Sequence, residues 1–597
     1  MAPGQPWLTV VSVSLSVDSS SSAMVGTDRA VENREVAELL DRLADLLEIE
    51  GANPFRVRAY RNAARTVRDL PQSLAALVAE GKDLAELPGI GRDLAQKLVG
   101  IVRTGRFPAL EEARSRVPAG LAELVELPGV GPKRARALYD ELGITTVEEL
   151  AAALRAGRVH GRHGFGEKTE QRLLHELERR KGPERRAVLA EVEPVAQALV
   201  QHLRGARGVK RAVVAGSYRR RRESVRDLDV LVTATDPAAA TERLLSFEDV
   251  EEVLAHGPTR STVRLRSGMQ VDLRVVGEES YGAALCYFTG SVAHSVAVRR
   301  LAQRAGLKLN EYGVFRDAER IGGRTEREVF SLLGLPYIEP ELRENRGEVE
   351  AALERHLPKL LKERDVRGDL RVHRSAGGDR GLRGLAMAAL ARGYEYVAVA
   401  DRTPLAHGPD LKHLRGQLDE IERLNDELAG RPVLLKSAEV EILEDGSLDL
   451  PERLLRRLDL TVCAVHQRFD LNKRRQTERV LRALESPYFT ILAHPTGRLV
   501  NEPSSYELDL DRVIEAAHGR GCFLELNARP ERLDLDEVHC KLAKEKGVAV
   551  AISSGARTPA ELDFLRFGVD QARRGWLERG DVLNTRPIDE LRQLTAQ

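Results

Sequence analysis

A glycine-serine turn followed by closely spaced acids is the first group in this chain whose residue types and spacing can do chemistry. Gly216 and Ser217 open the run GSYRRRRESVRDLDVLV, which sets Asp227 and Asp229 two residues apart at the head of an apolar strand pattern. Residues two apart on a strand share a face, so both carboxylates project together. Adjacent like charges are costly unless divalent cations neutralise them, and hard cations such as Mg²⁺ favour such oxygen ligands. A third acid, Asp272, lies in a later strand pattern, MQVDLRVV. Three acids converging on one sheet face would hold two metal ions, which activate an attacking oxygen and stabilise a leaving one. Gly216 and Ser217 would then cradle a triphosphate. Arg220, one of five arginines between Arg219 and Arg226, would neutralise its developing charge. For the acid pair alone, a solvated turn is the plainer reading; the order of turn, arginines and distant third acid argues against it.

A second group binds rather than reacts. LPGIG (Leu87 to Gly91) and LPGVG (Leu127 to Gly131) each sit between helical patterns, with Arg92 and Lys133 close behind. Gly89, Gly91, Gly129 and Gly131 permit a tight turn whose backbone amides open onto a helix N-terminus, where a phosphate oxygen is stabilised. Repeated twice with the same flanks, the motif reads as paired helix-hairpin-helix units gripping nucleic-acid backbone without reading sequence. His163 to Lys168 is a weaker third version.

The elements that must position these groups fall into blocks. Helical periodicity runs from Glu35 to about Gly182, β-rich runs alternate with helices from Ala187 to Ile338, and the charged stretch from Glu339 to Lys362 reads as a helical connector. Beyond Asp369 short apolar strands alternate with helices, the rhythm of an α/β domain. With 597 residues, 42% hydrophobic and 31% charged, the chain can bury several cores, which excludes a single small module and wholesale disorder. Lys plus Arg and Asp plus Glu each number 92; of the basic residues 77 are Arg and 15 Lys, so chemistry needing an amine has few candidates. Cys286, Cys463, Cys522 and Cys540 lack metal or disulfide spacing, and no apolar run is long enough to span a membrane, which points to a reducing cytoplasm. Residues 1–27 read as a disordered leader, with Met24 as an alternative start.

GSYRRRRESVRDLDVLV, VDLRVV, YFTGS (Tyr287 to Ser291) and LNEYGVF (Leu309 to Phe315) resemble the nucleotidyltransferase core of family X DNA polymerases, the polymerase beta relatives. More closely, the chain resembles the bacterial type that carries a C-terminal PHP (polymerase and histidinol phosphatase) domain. The resemblance implies a multidomain chain. Its parts would be a lyase-like helical domain over 28–112, a second hairpin domain over 113–185, an α+β palm over 186–280 and a thumb over 281–345. A linker over 346–367, a barrel-like α/β PHP domain over 368–580 and a tail over 581–597 would follow. It makes Asp227, Asp229 and Asp272 the catalytic metal ligands. Tyr287, Phe288, Gly290 and Ser291 would form the nucleotide pocket and Arg299 would face the template. Ser295 stands where the family has Asn.

In the lyase domain of such enzymes a lysine forms a Schiff base with a 5′-deoxyribose phosphate, chemistry closed to arginine. Only Lys82 and Lys97 qualify here; Lys97 falls at the matching position, while a neighbouring family lysine is Asp93, which would raise the amine pKa. The alternative for Lys97 is a phosphate contact. The PHP ligand set is degenerate: Arg371, Gly378, Arg402, Gly555 and Arg557 fall in its motifs, leaving His373, Glu439, His466 and His494. Fixed positive charge would repel metals, so PHP metals are expected absent or reduced, and the new arginines offer contacts to DNA phosphate.

The expectation is a cytoplasmic, nucleoid-associated, monomeric DNA-templated DNA polymerase that fills short gaps during repair. It would use dNTP, gapped or primer-template DNA and two Mg²⁺ or Mn²⁺ ions. The alternatives are a metal-dependent 3′-5′ exonuclease or phosphoesterase in the PHP domain and a non-catalytic DNA-end scaffold.

Overall fold

The computed structural model describes residues 33–596 apart from 69, 71–73, 105–106, 126–129, 160, 163–164, 167–172, 174–185, 375–378, 403–410 and 503. The expected leader, Gly129, Gly378 and most of the third hairpin motif lie outside the described residues. Residues 33–68 and 74–119 form one compact unit, and the described remainder forms another.

In the first unit Val36, Leu40, Leu43 and Leu47 recur at helical spacing on Asn33–Ile49 and are all buried. A 3₁₀ turn, Leu84–Glu86, leads into the first glycine motif and then the helix Arg92–Thr104. Gly89 has φ 79°, a left-handed value that disfavours a side chain and lets the chain reverse over two residues. In the second unit Gly131 caps the helix Pro132–Leu142, with proline at the first helical position.

The palm is a five-stranded mixed sheet with strands β1 (Val209–Val214), β2 (Asp227–Ala234), β3 (Val250–His256), β4 (Arg260–Leu265) and β5 (Gln270–Val276), in the order β1-β2-β5-β4-β3. β2 and β5 are parallel, and the register sets Asp229 beside Asp272. The thumb follows: helices Tyr281–Thr289 and Val292–Arg304, a three-stranded sheet over 308–322 and the helix Glu326–Leu332.

Only Pro340–Leu342 (3₁₀) and Glu348–Leu353 (α) are helical within the stretch expected as a helical connector. Pro340 has no N–H to give, Asn345 and Gly347 adopt left-handed φ of 61° and 95°, and Arg343 and Glu348 are fully buried. The segment is packed into the protein rather than spaced away from it.

The last domain is a ring of seven parallel strands, β6 (Gly368–Val372), β7 (Tyr396–Val399), β8 (Val433–Glu441), β9 (Leu460–Ala464), β10 (Ile491–Leu492), β11 (Phe523–Asn527) and β12 (Val550–Ser553), paired in chain order. A parallel bridge between Val372 and Ala556 brings the last strand back to the first. Side chains at the carboxyl ends of such strands converge on one mouth. Val500, Leu533 and Phe567 from this domain join the apolar core of the palm, beside Leu228, Val230 and Leu273. Phe567→Ala should therefore lower the unfolding free energy of this unit by about 3 to 5 kcal/mol, measured by chemical denaturation followed by fluorescence.

Candidate nucleotidyl-transfer site

The pairing of β2 with β5 places Asp227 opposite Gln270 and Asp229 opposite Asp272. Thr262 Oγ1 donates to Asp272 Oδ1 and Gln270 Nε2 to Asp272 Oδ2, both at 2.6 Å, which fixes that carboxylate's plane. Arg226 donates to Asp227 Oδ2 at 3.0 Å. Burial, with Asp227 and Asp272 as like-charged neighbours, pushes Asp229 up to about 7. Three carboxylates brought together in this way, with Asp229 so raised, fit divalent cations as their counter-charge.

Gly216 has φ 61°, and a Cβ built on it would lie 2.4 Å from Asp229 Oδ2. Any side chain there would displace the carboxylate. Ser217 follows in a single turn, Gly216–Arg219, and Ala215 N donates to Asp229 O at 2.7 Å, so turn and acid are joined through the backbone.

The arginine run is not a solvated basic face. Arg219 donates to Glu326 at 2.6 and 2.8 Å and to Thr289 Oγ1. Arg221 pairs with Glu193 and Asp570, each at 2.6 Å. Arg220, expected to reach the triphosphate, is half-buried, with Nε donating to Glu344 Oε1 at 3.0 Å and a terminal nitrogen to Thr289 O. Its charge opposes the rise at Asp229, and Nε and one terminal nitrogen bond within the protein. Glu344, 29 residues beyond Phe315 in the last motif, is folded back against it.

The other pocket residues lie on the thumb. Tyr287 is 40% exposed and meets Phe288 edge to face at 5.2 Å. Gly290, at φ 69°, lies where a Cβ would come within 3.1 Å of Arg220. Ser291 caps Val292–Arg304, accepting from His294 N, and its own N–H donates to Arg343 O at 2.9 Å. Arg299 folds along that helix, its Nε donating to Ser295 O at 3.2 Å. Tyr287, His294, Ser295 and Arg299 line one small cavity with Cys286 and Phe330. The buried His294 pairs with Glu348 at 2.7 Å, tying the helix to the packed connector.

At the mouth of the barrel, Glu439, His466 and His494 bring ligand atoms within 4.8 Å of one another, and His373 lies 3.9 Å from Glu439. Two acids that sequence reasoning passed over complete the group: Glu441, which accepts from His466 Nδ1 at 2.8 Å, and Glu525, which accepts from His494 N at 2.7 Å. The sequence signal for Glu441 was its place two residues after Glu439 on one strand. Arg371 occupies the centre, 3.4 Å from Glu439 and 3.3 Å from Glu525. It is buried and unavailable to DNA, a correction to the expectation that it offers a phosphate contact. Arg402 stays half exposed, 3.9 Å from Glu441. Burial would raise Glu439, but Arg371 and His466 hold it well below its ordinary value. Burial and Arg371 push His373 down to about 4. A guanidinium among these acids does not fit a three-metal centre.

In the first unit Lys97 Nζ donates to Asp93 at 2.6 Å and to Tyr60 OH at 3.1 Å. Burial alone would lower this amine; the bonds to Asp93 and Tyr60 hold it above its ordinary value, as ammonium. Lys82 pairs with Glu80 at 3.1 Å. Gly91 and Lys133 are exposed at their hairpins, as a backbone-phosphate contact requires.

Comparison with known proteins agrees with this division. The helix-hairpin-helix domain family matches residues 31–107, the SAM-like helix-hairpin-helix tandem 121–179 and the DNA polymerase beta thumb 284–344. The chain is 35% identical over 570 residues to the DNA polymerase/3′-5′ exonuclease PolX of Bacillus subtilis, covering 94% of this chain and 99% of that one. It is 26% identical to DNA polymerase lambda of Rattus norvegicus, over 52% of this chain and 56% of that one. A probable phosphatase of Caldanaerobacter subterraneus is 31% identical over 179 residues, 28% of this chain and 66% of its own. With a polymerase-type palm and thumb, paired hairpins and a parallel barrel in one chain, the protein belongs to the family X DNA polymerases, in the bacterial form that ends in a PHP domain.

Proposed function

We propose that the protein extends a primer into short gaps of duplex DNA, as a monomer, taking dNTP and two Mg²⁺ or Mn²⁺ ions on Asp227, Asp229 and Asp272. The observation that carries this reading is the side-by-side register of Asp229 and Asp272, with Asp227 on the same face and Gly216 against Asp229. Divalent ions bound there would supply charge neutralisation at the α-phosphate and activation of the primer 3′-hydroxyl. Asp272, oriented by Thr262 and Gln270, faces the primer side of the reaction; Asp227 and Asp229 face the nucleotide. The backbone at Gly216 and Ser217 receives the triphosphate, and Tyr287, Phe288 and Gly290 bound the sugar. Arg299 reaches the template side on release from Ser295 O. Hairpin glycines Gly89, Gly91, Gly129 and Gly131, with Lys133, contact the DNA backbone.

The Bacillus subtilis relative is named as a 3′-5′ exonuclease as well as a polymerase. For this chain the position of Arg371 supports a barrel without metal-dependent phosphoester hydrolysis. Lys97 is proposed as a cationic phosphate contact rather than a Schiff-base nucleophile, because Asp93 and Tyr60 favour its protonated form.

Asp229→Asn should reduce single-nucleotide extension on gapped DNA by about a thousandfold, equivalent to about 4 kcal/mol of transition-state stabilisation. Gel-shift affinity for DNA should stay within about threefold of wild type, since phosphate contacts dominate it. The same variant incubated with Mn²⁺ should leave single-stranded DNA intact; degradation would restore the nuclease reading. For the lyase, borohydride should trap little wild-type protein on an incised abasic site, and Asp93→Ala should increase trapping at pH 7 by freeing the Lys97 amine. Strong wild-type trapping lost in Lys97→Ala would reverse that assignment.

A further inference from the structure

One helix of the PHP domain reaches the nucleotide site. Leu565–Arg574 presents Asp570 and Arg574, four residues apart and so on one face, to the palm loop between Gly216 and the first catalytic acid. Asp570 pairs with Arg221 at 2.6 Å. Arg574, 1% exposed, donates to the backbone carbonyl of Arg220 at 2.8 Å and to Glu344 Oε1 at 3.1 Å; its other terminal nitrogen donates to Glu537 at 2.7 Å. Glu344 in turn accepts from Arg220 Nε, and Arg220 donates to Thr289 O, the residue before Gly290. Glu537 also pairs with Arg346 at 3.2 Å, so it joins Arg574 to the connector that gives Arg343 O to Ser291 and Glu348 to His294. Arg498, from the loop after β10, pairs with Glu223 at 2.6 Å and holds the far end of the same palm loop.

Arg221 has φ 55°, a left-handed conformation uncommon outside glycine. It persists between two carboxylates, one from the palm helix Leu189–Arg204 and one from the PHP domain. Behind the ion pairs, Phe567 on the same PHP helix packs into the palm core. The contact is thus fixed by apolar packing and made specific by charge.

We propose that Arg574 of the PHP domain is a positioning residue for nucleotide binding in the palm. Through Arg220 O it sets the turn that carries Gly216 and Ser217; through Glu344 and Arg220 it sets Thr289 and Gly290 at the sugar pocket. The barrel, with a guanidinium in its own centre, serves as a splint for the polymerase site. This role rests on the assignment of those residues to the nucleotide.

The test uses full-length protein and single-nucleotide extension on gapped DNA, with rates normalised to burst amplitude. Arg574→Gln should raise the dNTP KM about tenfold, a loss of about 1.4 kcal/mol, and change kcat per active site by less than about threefold. Asp570→Asn, which keeps the size of the side chain, should raise KM in the same direction by a smaller factor. Arg392→Gln, whose partner Asp563 lies within the PHP domain, should leave KM unchanged. A residue needed only for folding would lower burst amplitude and melting temperature and leave KM alone, and that result would overturn the proposal. Should Arg574→Gln not fold, an unchanged KM in Asp570→Asn overturns it equally. An Asp229→Asn protein that still extends primers would refute the site assignment, which is a different failure.

Discussion

Parallel pairing of β2 with β5 forces two carboxylates into neighbouring register, and the palm is organised around that constraint. Adjacent strands run about 4.8 Å apart. Two unit charges at that separation repel by about 3.5 kcal/mol at an effective dielectric of about 20. Hydrogen bonds from Thr262 and Gln270 hold Asp272 in place despite this, and the left-handed Gly216 leaves room for Asp229. None of these contacts removes the repulsion; burial, with that repulsion added, holds Asp229 at about 7. Folding therefore stores at this point a demand for positive charge from outside the chain.

Elsewhere the chain meets such demands internally, and arginine is how it does so. Arg343, Arg479 and Arg574 are almost wholly buried, each among several acceptors: Arg479 alone reaches Ile442 O, Leu443 O, Gln467 O and Glu441. A planar fork of five donors can saturate such a set, whereas an ammonium cannot. Removing one partner from a buried pair strands a charge at a cost of about 3 to 5 kcal/mol, so these networks fix domain geometry more than they add net stability. The excess of Arg over Lys and the zero net charge are two sides of this: much of the positive charge is consumed inside.

The parts of this design carried by local spacing were legible in the sequence. The DxD strand, the first glycine turn and the strand-helix rhythm of the barrel depend on residues a few positions apart, and they folded as their periods indicate. The partners of Arg220 could not be read in this way: Glu344 and Thr289 lie 124 and 69 positions away, and no period links them. The continuous helix expected of the connector from its charged stretch breaks for a related reason: only two short helical pieces form, and Arg343 and Glu348 are buried against distant partners. Glu525 sits in the apolar run CFLELNA and gains its meaning only when seven strand ends meet.

The palm and the barrel answer the same electrostatic problem in opposite ways. Both collect carboxylates on strands of one sheet, which is unfavourable without counter-charge. In the palm the chain offers Arg226 to Asp227 at 3.0 Å, while Asp229 and Asp272 stand in neighbouring register, and exchangeable ions would complete the set. In the barrel Arg371 extends from β6 between Glu439 on β8 and Glu525 on β11, so the counter-charge is covalently attached and cannot leave. A centre completed in that way gains rigidity and loses the open coordination positions that metal-assisted hydrolysis requires. Rigidity is what the proposed splint would use: the helix Leu565–Arg574 can hold the palm loop only if the barrel behind it does not yield. An internal cation in the barrel and an ion-paired helix on its flank are then parts of one arrangement, in which a fold able to hold metals instead stiffens its neighbour.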